Sequence, residues 1–76
     1  MSKGGRHHGR AAFALTPREA QLVRLVAQGC TNAEIAERLH LKPQTVKNQL
    51  TAIYEKVHVR NRLELAVYAM RHGFHS

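Results

Sequence analysis

The stretch TNAEIAERLHLKPQTVKNQLTAIYEKV, residues 31–57, decides the fold. It contains two segments with the residue pattern of amphipathic helices, separated only by residues 40–42. Thr31 and Glu34 form the signature of a capping box, which begins the earlier helix. Pro43 suits the first position of the later helix, where a backbone N–H would have no partner in any case. Two helices joined by so short a turn make a helix-turn-helix arrangement.

The apolar residues of the later segment recur with helical spacing. They stand at i, i+4, i+7, i+8 and i+11 and are Val46, Leu50, Ile53, Tyr54 and Val57. The earlier segment offers a matching inner face of Ile35, Ala36 and Leu39. His40 occupies the turn position that favours a left-handed residue, a conformation that histidine tolerates. We therefore predict a helix over about 43–57 that packs on the helix before it.

Two more helices flank this pair, and the sequence marks their boundaries. The first begins at TPRE (residues 16–19), a capping box with proline at the first helical position, and ends at Gly29. The last begins at NRLE (residues 61–64) and ends at Gly73. Since no segment alternates with a period of two, the predicted fold is all-α: a four-helix bundle with a central helix-turn-helix.

The fourth helix is apolar on two sides. We predict an inner face of Leu63, Ala66, Val67 and Met70. We predict an outer stripe, at i, i+3, i+4 and i+7, of Leu65, Tyr68, Ala69 and His72. Because a domain this small has nothing left in its own chain to cover a second stripe, the outer one is predicted to form a weak homodimer interface. For the first helix, the predicted inner residues are Leu22, Leu25 and Val26.

Charge points to the class of partner. Twelve Lys and Arg against five Asp and Glu give the 76-residue chain a formal net charge of +7. Such an excess indicates an anionic partner, with nucleic acid the first candidate. Residues 1–14 hold Lys3, Arg6 and Arg10 and no acid, so we predict a flexible basic arm there, followed by one domain over 15–76.

Length and composition argue against several other classes. A chain of 76 residues has no room for a deep, walled pocket, and no catalytic constellation is visible, so we expect neither an enzyme nor a cofactor. A single Cys rules out a disulfide framework, and Cys30 is interpreted as core filler rather than a redox sensor. One His pair, His72 and His75, is too little to predict a metal site. Without a long apolar stretch we expect no membrane partner and a cytoplasmic location.

The outward side of the third helix carries groups that can recognise DNA. It presents Gln44, Asn48, Thr51 and Glu55, with Lys47 on its flank. Amide, hydroxyl and amine groups suit base edges, whereas a polar face by itself is typical of any solvated helix. Position favours recognition, because a recognition helix reads from its N-terminal part. We therefore predict base reading by Gln44, Lys47, Asn48 and Thr51.

Four blocks in order resemble the LuxR/GerE-type helix-turn-helix domain of bacterial transcription regulators: LTPRE (15–19), GCTNAEIA (29–36), TVKN (45–48) and KVHV (56–59) with Arg62. The resemblance covers about residues 15–74. It implies a four-helix DNA-binding domain whose third helix lies in the major groove and whose fourth helix often mediates dimerisation. Carried over to this chain, it implies base contacts from Lys47, Asn48 and Thr51. It implies phosphate contacts around Thr31, Asn32, Thr45 and Lys56.

Two residues depart from that family pattern. Lys42 stands where the family usually has a serine that caps the recognition helix. Lysine cannot accept a backbone N–H, so either the cap is lost or Lys42 serves a phosphate contact. His58 replaces a frequent glycine in the turn after the recognition helix.

The function predicted from the sequence is sequence-specific binding of double-stranded DNA by a dimeric bacterial transcription regulator, on an inverted repeat and in association with the nucleoid. Two alternatives stay open: a sigma-factor-like region that also touches RNA polymerase, and a protein-interaction module that keeps the fold. The ordered blocks argue against the first. The salt dependence of duplex binding would distinguish the second, because neutralising phosphates releases counterions.

Overall fold

The computed structural model describes residues 15–74, so the predicted basic arm and His75 lie outside the described residues. Its helices are α1 (Pro17–Ala27), α2 (Asn32–Leu39), α3 (Pro43–Val57) and α4 (Arg62–Arg71). No strand occurs between residues 15 and 74. The all-α prediction is confirmed, and α2 and α3 form the predicted helix-turn-helix.

Capping boxes begin α1 and α2, as the sequence predicts. At α1, the Thr16 hydroxyl accepts from the Glu19 N–H at 3.1 Å while the Thr16 N–H donates to Glu19 Oε1 at 2.9 Å. The same reciprocal pair joins Thr31 and Glu34, at 3.1 and 2.8 Å. Each box satisfies two N–H groups that a helix start would leave without a partner.

At α4 only one of the two hydrogen bonds of the predicted capping box forms. The Asn61 side chain accepts from the Glu64 N–H at 2.9 Å. The Glu64 carboxylate, however, accepts from the Arg60 N–H at 2.7 Å rather than from Asn61. The extended backbone at Asn61 brings the preceding N–H within reach of the carboxylate, and the helix start is still well satisfied.

One core holds the helices together. α1 packs against α4 and α3, and α2 packs against α3. The buried side chains are Leu22, Val23, Val26, Cys30, Ile35, Ala36, Val46, Leu50, Ile53, Val57, Leu65, Tyr68 and Ala69. The predicted inner face of α1 needs one correction: Val23 is fully buried, whereas Leu25 is only partly buried. Because two helices contact α1, its buried arc is wider than a single stripe and includes Val23.

The predicted faces of α4 are wrong, because the helix is turned the other way. Leu65 and Ala69 have no exposed surface and Tyr68 is 9% exposed. These three residues therefore belong to the core and cannot form the predicted open dimer interface; His72, the fourth member of that set, is exposed. The residues predicted to lie inside are at the surface instead, with exposed fractions of 73% for Leu63, 40% for Val67 and 59% for Met70. Ala66 is partly buried.

Aromatic packing gives a physical reason for this orientation of α4. The Tyr68 ring lies 4.2 Å from the ring of His72 and 6.2 Å from that of Phe74, measured between centroids. Phe74 in turn lies 5.9 Å from the guanidinium of Arg24 on α1. Turning Tyr68 toward α1 buries a large aromatic side chain, whereas the alternative face offers only aliphatic residues.

Left-handed residues end several helices. His40 follows α2 with φ 59° and ψ 45°, as predicted for the turn of the helix-turn-helix. His58 follows α3 with φ 62° and ψ 45°, so this turn keeps left-handed geometry without a glycine. Gly29 and Gly73 have φ of 89° and 78° after α1 and α4, where an unsubstituted residue adopts that conformation easily. Of these four turns, those at His40 and His58 lie on either side of α3.

Candidate nucleic-acid interface

The reading face of α3 comprises Gln44, Lys47, Asn48 and Thr51, and all four side chains are exposed. Val46, Leu50 and Ile53, on the opposite side of the helix, are almost completely buried. The structure therefore brings the predicted base-reading residues together on one surface of a firmly anchored helix. This is the arrangement in which side chains at the N-terminal part of a recognition helix reach base edges.

Two hydrogen bonds already orient groups on the reading face. Gln44 Nε2 donates to Asn48 Oδ1 at 2.9 Å. This pair leaves the Asn48 Nδ2 donors and the Gln44 Oε1 acceptor for a ligand, and a donor beside an acceptor is what an adenine edge requires. The Thr51 hydroxyl donates to the Lys47 carbonyl at 3.0 Å, so its proton is used within the helix and its oxygen can still accept a hydrogen bond.

The start of α3 lacks a side-chain cap. Lys42 has the extended backbone of an N-cap residue, but its side chain makes no capping hydrogen bond, as expected for a lysine. The first turn of α3 holds no acidic residue, so the positive end of the helix dipole is not offset there. Lys42 is exposed and Thr45 is half-buried. Both belong to the predicted phosphate set, and they flank a helix start with positive potential.

At the start of α2, two other residues of the predicted phosphate set keep donors for an anion. Thr31 uses its oxygen to cap α2, which leaves the hydroxyl proton. Asn32 accepts a hydrogen bond at Oδ1 from Arg62 Nη1, at 2.7 Å, which leaves the Nδ2 protons. Both groups can therefore donate to a phosphate oxygen.

Lys56, the last member of the phosphate set, is engaged with α1. Its Nζ lies 2.8 Å from Glu19 Oε1, and the pair is partly exposed. Partial burial raises the pKa of Glu19, but hydrogen bonds from Lys56 and from the Thr16 N–H outweigh it and hold the pKa below its ordinary value. Lys56 thus stabilises the fold, a role that the sequence analysis missed. The sequence did not indicate this ion pair, because its two residues are 37 positions apart.

Three of the five glutamates between residues 15 and 74 lie in the first turn of a helix. Glu19, Glu34 and Glu64 each accept a hydrogen bond from a backbone N–H at the beginning of a helix. Residues 15–74 contain nine Lys and Arg and five Glu, and three of these glutamates are placed in this way.

Among the described residues no group of three metal-ligating side chains comes together. Cys30 is buried, in agreement with its interpretation as core filler. No helix between residues 15 and 74 has the length and hydropathy needed to span a bilayer.

Fold and surface together define a helix-turn-helix DNA-binding domain. The family described as bacterial regulatory proteins, luxR family (GerE), matches residues 14–69. The chain belongs to this family of transcription regulators, and the resemblance found in the sequence is confirmed.

Several curated regulators are similar to this chain over the same region. LiaR, a transcriptional regulatory protein of Bacillus subtilis, is 44% identical over 69 residues, which are 87% of this chain and 33% of LiaR. An HTH-type transcriptional regulator of Mycobacterium bovis is 43% identical over 60 residues, 79% of this chain and 7% of that protein. The response regulator protein VraR of Staphylococcus aureus is 38% identical over 59 residues, 78% of this chain and 28% of VraR. The chain thus spans a third or less of the length of these relatives.

Proposed function

We propose that this chain binds double-stranded DNA sequence-specifically, with α3 in the major groove, and that it is the output part of a bacterial transcription regulator acting at the nucleoid in the cytoplasm. The observation that supports this most is the reading face itself. Four polar side chains able to reach base edges stand on one exposed side of a helix whose other side is buried. The transcriptional and response regulators to which the chain is similar support the same assignment.

Base reading and backbone contact are proposed for different residues. Gln44, Lys47, Asn48 and Thr51 reach base edges, with lysine suited to guanine and amides to adenine. Phosphate contacts come from the two helix starts, through Thr31 and Asn32 at α2 and Lys42 and Thr45 at α3. Lys56 contributes to the positive potential near the end of α3 while it pairs with Glu19.

We further propose that the domain pairs on DNA through the surface that α4 exposes. This outer apolar face consists of Leu63, Val67 and Met70, which replace the residues predicted from the sequence. They stand at i, i+4 and i+7, so they form one stripe along the helix. Beside the stripe runs a shallow groove whose lining also includes Val59, Arg71 and His72. An interface of two such short helices is small, so the dimer is weak without DNA and forms on an inverted repeat.

Selection of bound sequences from a pool of random duplexes tests the proposal. The wild-type chain should enrich a defined site, and the Lys47→Ala, Asn48→Ala double variant should enrich none. Glu55→Ala is the matched control, since Glu55 is exposed on the same side of α3 but lies one turn beyond Thr51, toward the C-terminal end and away from the part of a recognition helix that reads bases. Failure of the wild-type chain to enrich any sequence, with binding insensitive to salt, would favour a protein-interaction module instead.

A further inference from the structure

Arg62 connects two parts of the chain that are 30 residues apart. It is the first residue of α4, and its half-buried guanidinium reaches the beginning of α2. Nη1 donates to Asn32 Oδ1 at 2.7 Å, and Nη2 donates to the Cys30 carbonyl. One planar group thus holds both the loop that precedes α2 and the first side chain of that helix.

This contact determines which end of the Asn32 amide faces outward. An amide has an acceptor oxygen and a donor nitrogen, and a guanidinium can only donate. Arg62 therefore takes the oxygen, and the Nδ2 protons are left for a ligand. If the amide rotated by half a turn, it would present its oxygen to the ligand, and an oxygen repels a phosphate.

We propose that Arg62 is a positioning residue for DNA binding: it fixes the Asn32 amide with Nδ2 toward a phosphate. The inference rests on the proposed function, in which Asn32 contacts the DNA backbone. Arg62 acts through Asn32 and through the loop carbonyl of Cys30, and it need not touch DNA. Since Leu63 of the outer apolar face follows Arg62 directly, the same contact ties the helix proposed for pairing to a phosphate-binding group.

If Arg62 only stabilised the fold, its replacement would have a different effect on DNA binding. Its removal would lower the stability of the domain, and affinity would fall by the same factor whatever residue stood at position 32. A positioning residue affects affinity through Asn32, so its effect should vanish when Asn32 is absent. A double-mutant cycle measures this dependence.

The cycle uses wild type, Arg62→Lys, Asn32→Ala and the double variant. Lysine keeps the positive charge but cannot make the two-pronged contact. On the selected duplex we expect Arg62→Lys to weaken binding by about tenfold, a typical effect of losing a hydrogen bond to a charged group. In the Asn32→Ala background the same change should cost less than about twofold. Equal losses in the two backgrounds would overturn the proposal.

Asn32→Asp provides a second measurement that does not depend on the folding of Arg62→Lys. Aspartate keeps an oxygen for Arg62 and suits the start of a helix, but it has no donor for a phosphate. We expect thermal stability at or above that of wild type and affinity at least as low as that of Asn32→Ala. Unchanged affinity for Asn32→Asp would overturn the inference, while loss of affinity in Lys47→Ala would still uphold the proposed function. No selective binding by the wild-type chain would instead refute the proposed function itself.

Discussion

The ammonium group of Lys56, near the end of α3, lies 2.8 Å from the carboxylate of Glu19 in the first turn of α1. The same carboxylate oxygen accepts the Thr16 N–H and so completes the capping box of α1. One acidic group therefore serves both the start of one helix and the attachment of another. The position of α3, which carries the reading face, depends in part on the charge of Glu19.

Glu19→Gln should make stability less sensitive to acid. The pKa of Glu19 is lower in the folded state than the 4.5 of an unperturbed glutamate, so the carboxylate stabilises the fold at neutral pH. That contribution is lost as the pH falls through the folded-state pKa. Glutamine keeps an acceptor for the Thr16 N–H but has no charge. We expect Glu19→Gln to be less stable at pH 7, by no more than about 1 kcal/mol for a partly exposed pair, and we expect this gap to shrink between pH 7 and pH 3. Urea unfolding at both pH values measures this, and a gap that stays constant would refute it.

Lys47→Ala and Asn48→Ala should each weaken binding selectively. A good base contact contributes about 1–3 kcal/mol of discrimination, so each variant should lose that much on the selected duplex and much less on random DNA. Titrations of both duplexes at one salt concentration provide the comparison. Equal losses on the two would show that these side chains hold the backbone and do not read bases.

Leu63→Glu should abolish cooperative occupation of paired half-sites while leaving the fold intact. Leu63 is 73% exposed, so a charge there meets solvent in the monomer and a like charge in the dimer. Leu65→Glu, on the same helix, provides the contrast. Leu65 is fully buried, so a charge at this position should unfold the domain. Circular dichroism and binding to a palindromic duplex distinguish the two. Wild-type cooperativity in Leu63→Glu would exclude the outer apolar face as the interface.

Tyr68→Phe should leave the domain as stable or make it more stable, by up to about 1 kcal/mol. The Tyr68 hydroxyl is buried and has no hydrogen-bond partner among the described residues, so phenylalanine removes an unsatisfied group. Burial also raises the pKa of Tyr68. The unfolded state therefore loses this proton first as the pH rises. Above about pH 10, wild type should lose more stability than Tyr68→Phe, which has no such proton to lose. Melting temperatures at pH 7 and pH 10.5 test both statements; a clear drop at pH 7 would reveal a hidden partner for the hydroxyl.

Deletion of residues 1–12 should reduce affinity for all duplexes alike. The segment contains Lys3, Arg6 and Arg10, and each cation that neutralises a phosphate contributes about one unit to the salt dependence of binding. The slope of log K against log salt should therefore flatten by up to about three units. An unchanged slope would show that this segment makes no phosphate contact.

The features that were predicted correctly depend on residues close together in the chain. The predictions failed where packing between residues far apart in the chain decides the structure. Capping boxes, the turn at His40 and the burial of α3 follow from residues a few positions apart. On α4, two apolar stripes competed, and nothing local distinguished Leu65 and Tyr68 from Leu63 and Val67. Packing against α1 settled the choice. The contacts of Arg62 with Asn32 and of Lys56 with Glu19 join residues 30 and 37 apart, and no spacing reveals such pairs.

Two histidines in left-handed conformation bound α3, one on each side. That conformation costs a residue with a side chain about 1 kcal/mol or more, against a total stability of only about 4–11 kcal/mol for a domain of this size. The packing around α3 therefore outweighs a conformational cost at the two turns that flank it. Replacing His40 or His58 with glycine would remove that cost. These two positions therefore offer a higher melting temperature while every proposed DNA-contacting side chain stays unchanged.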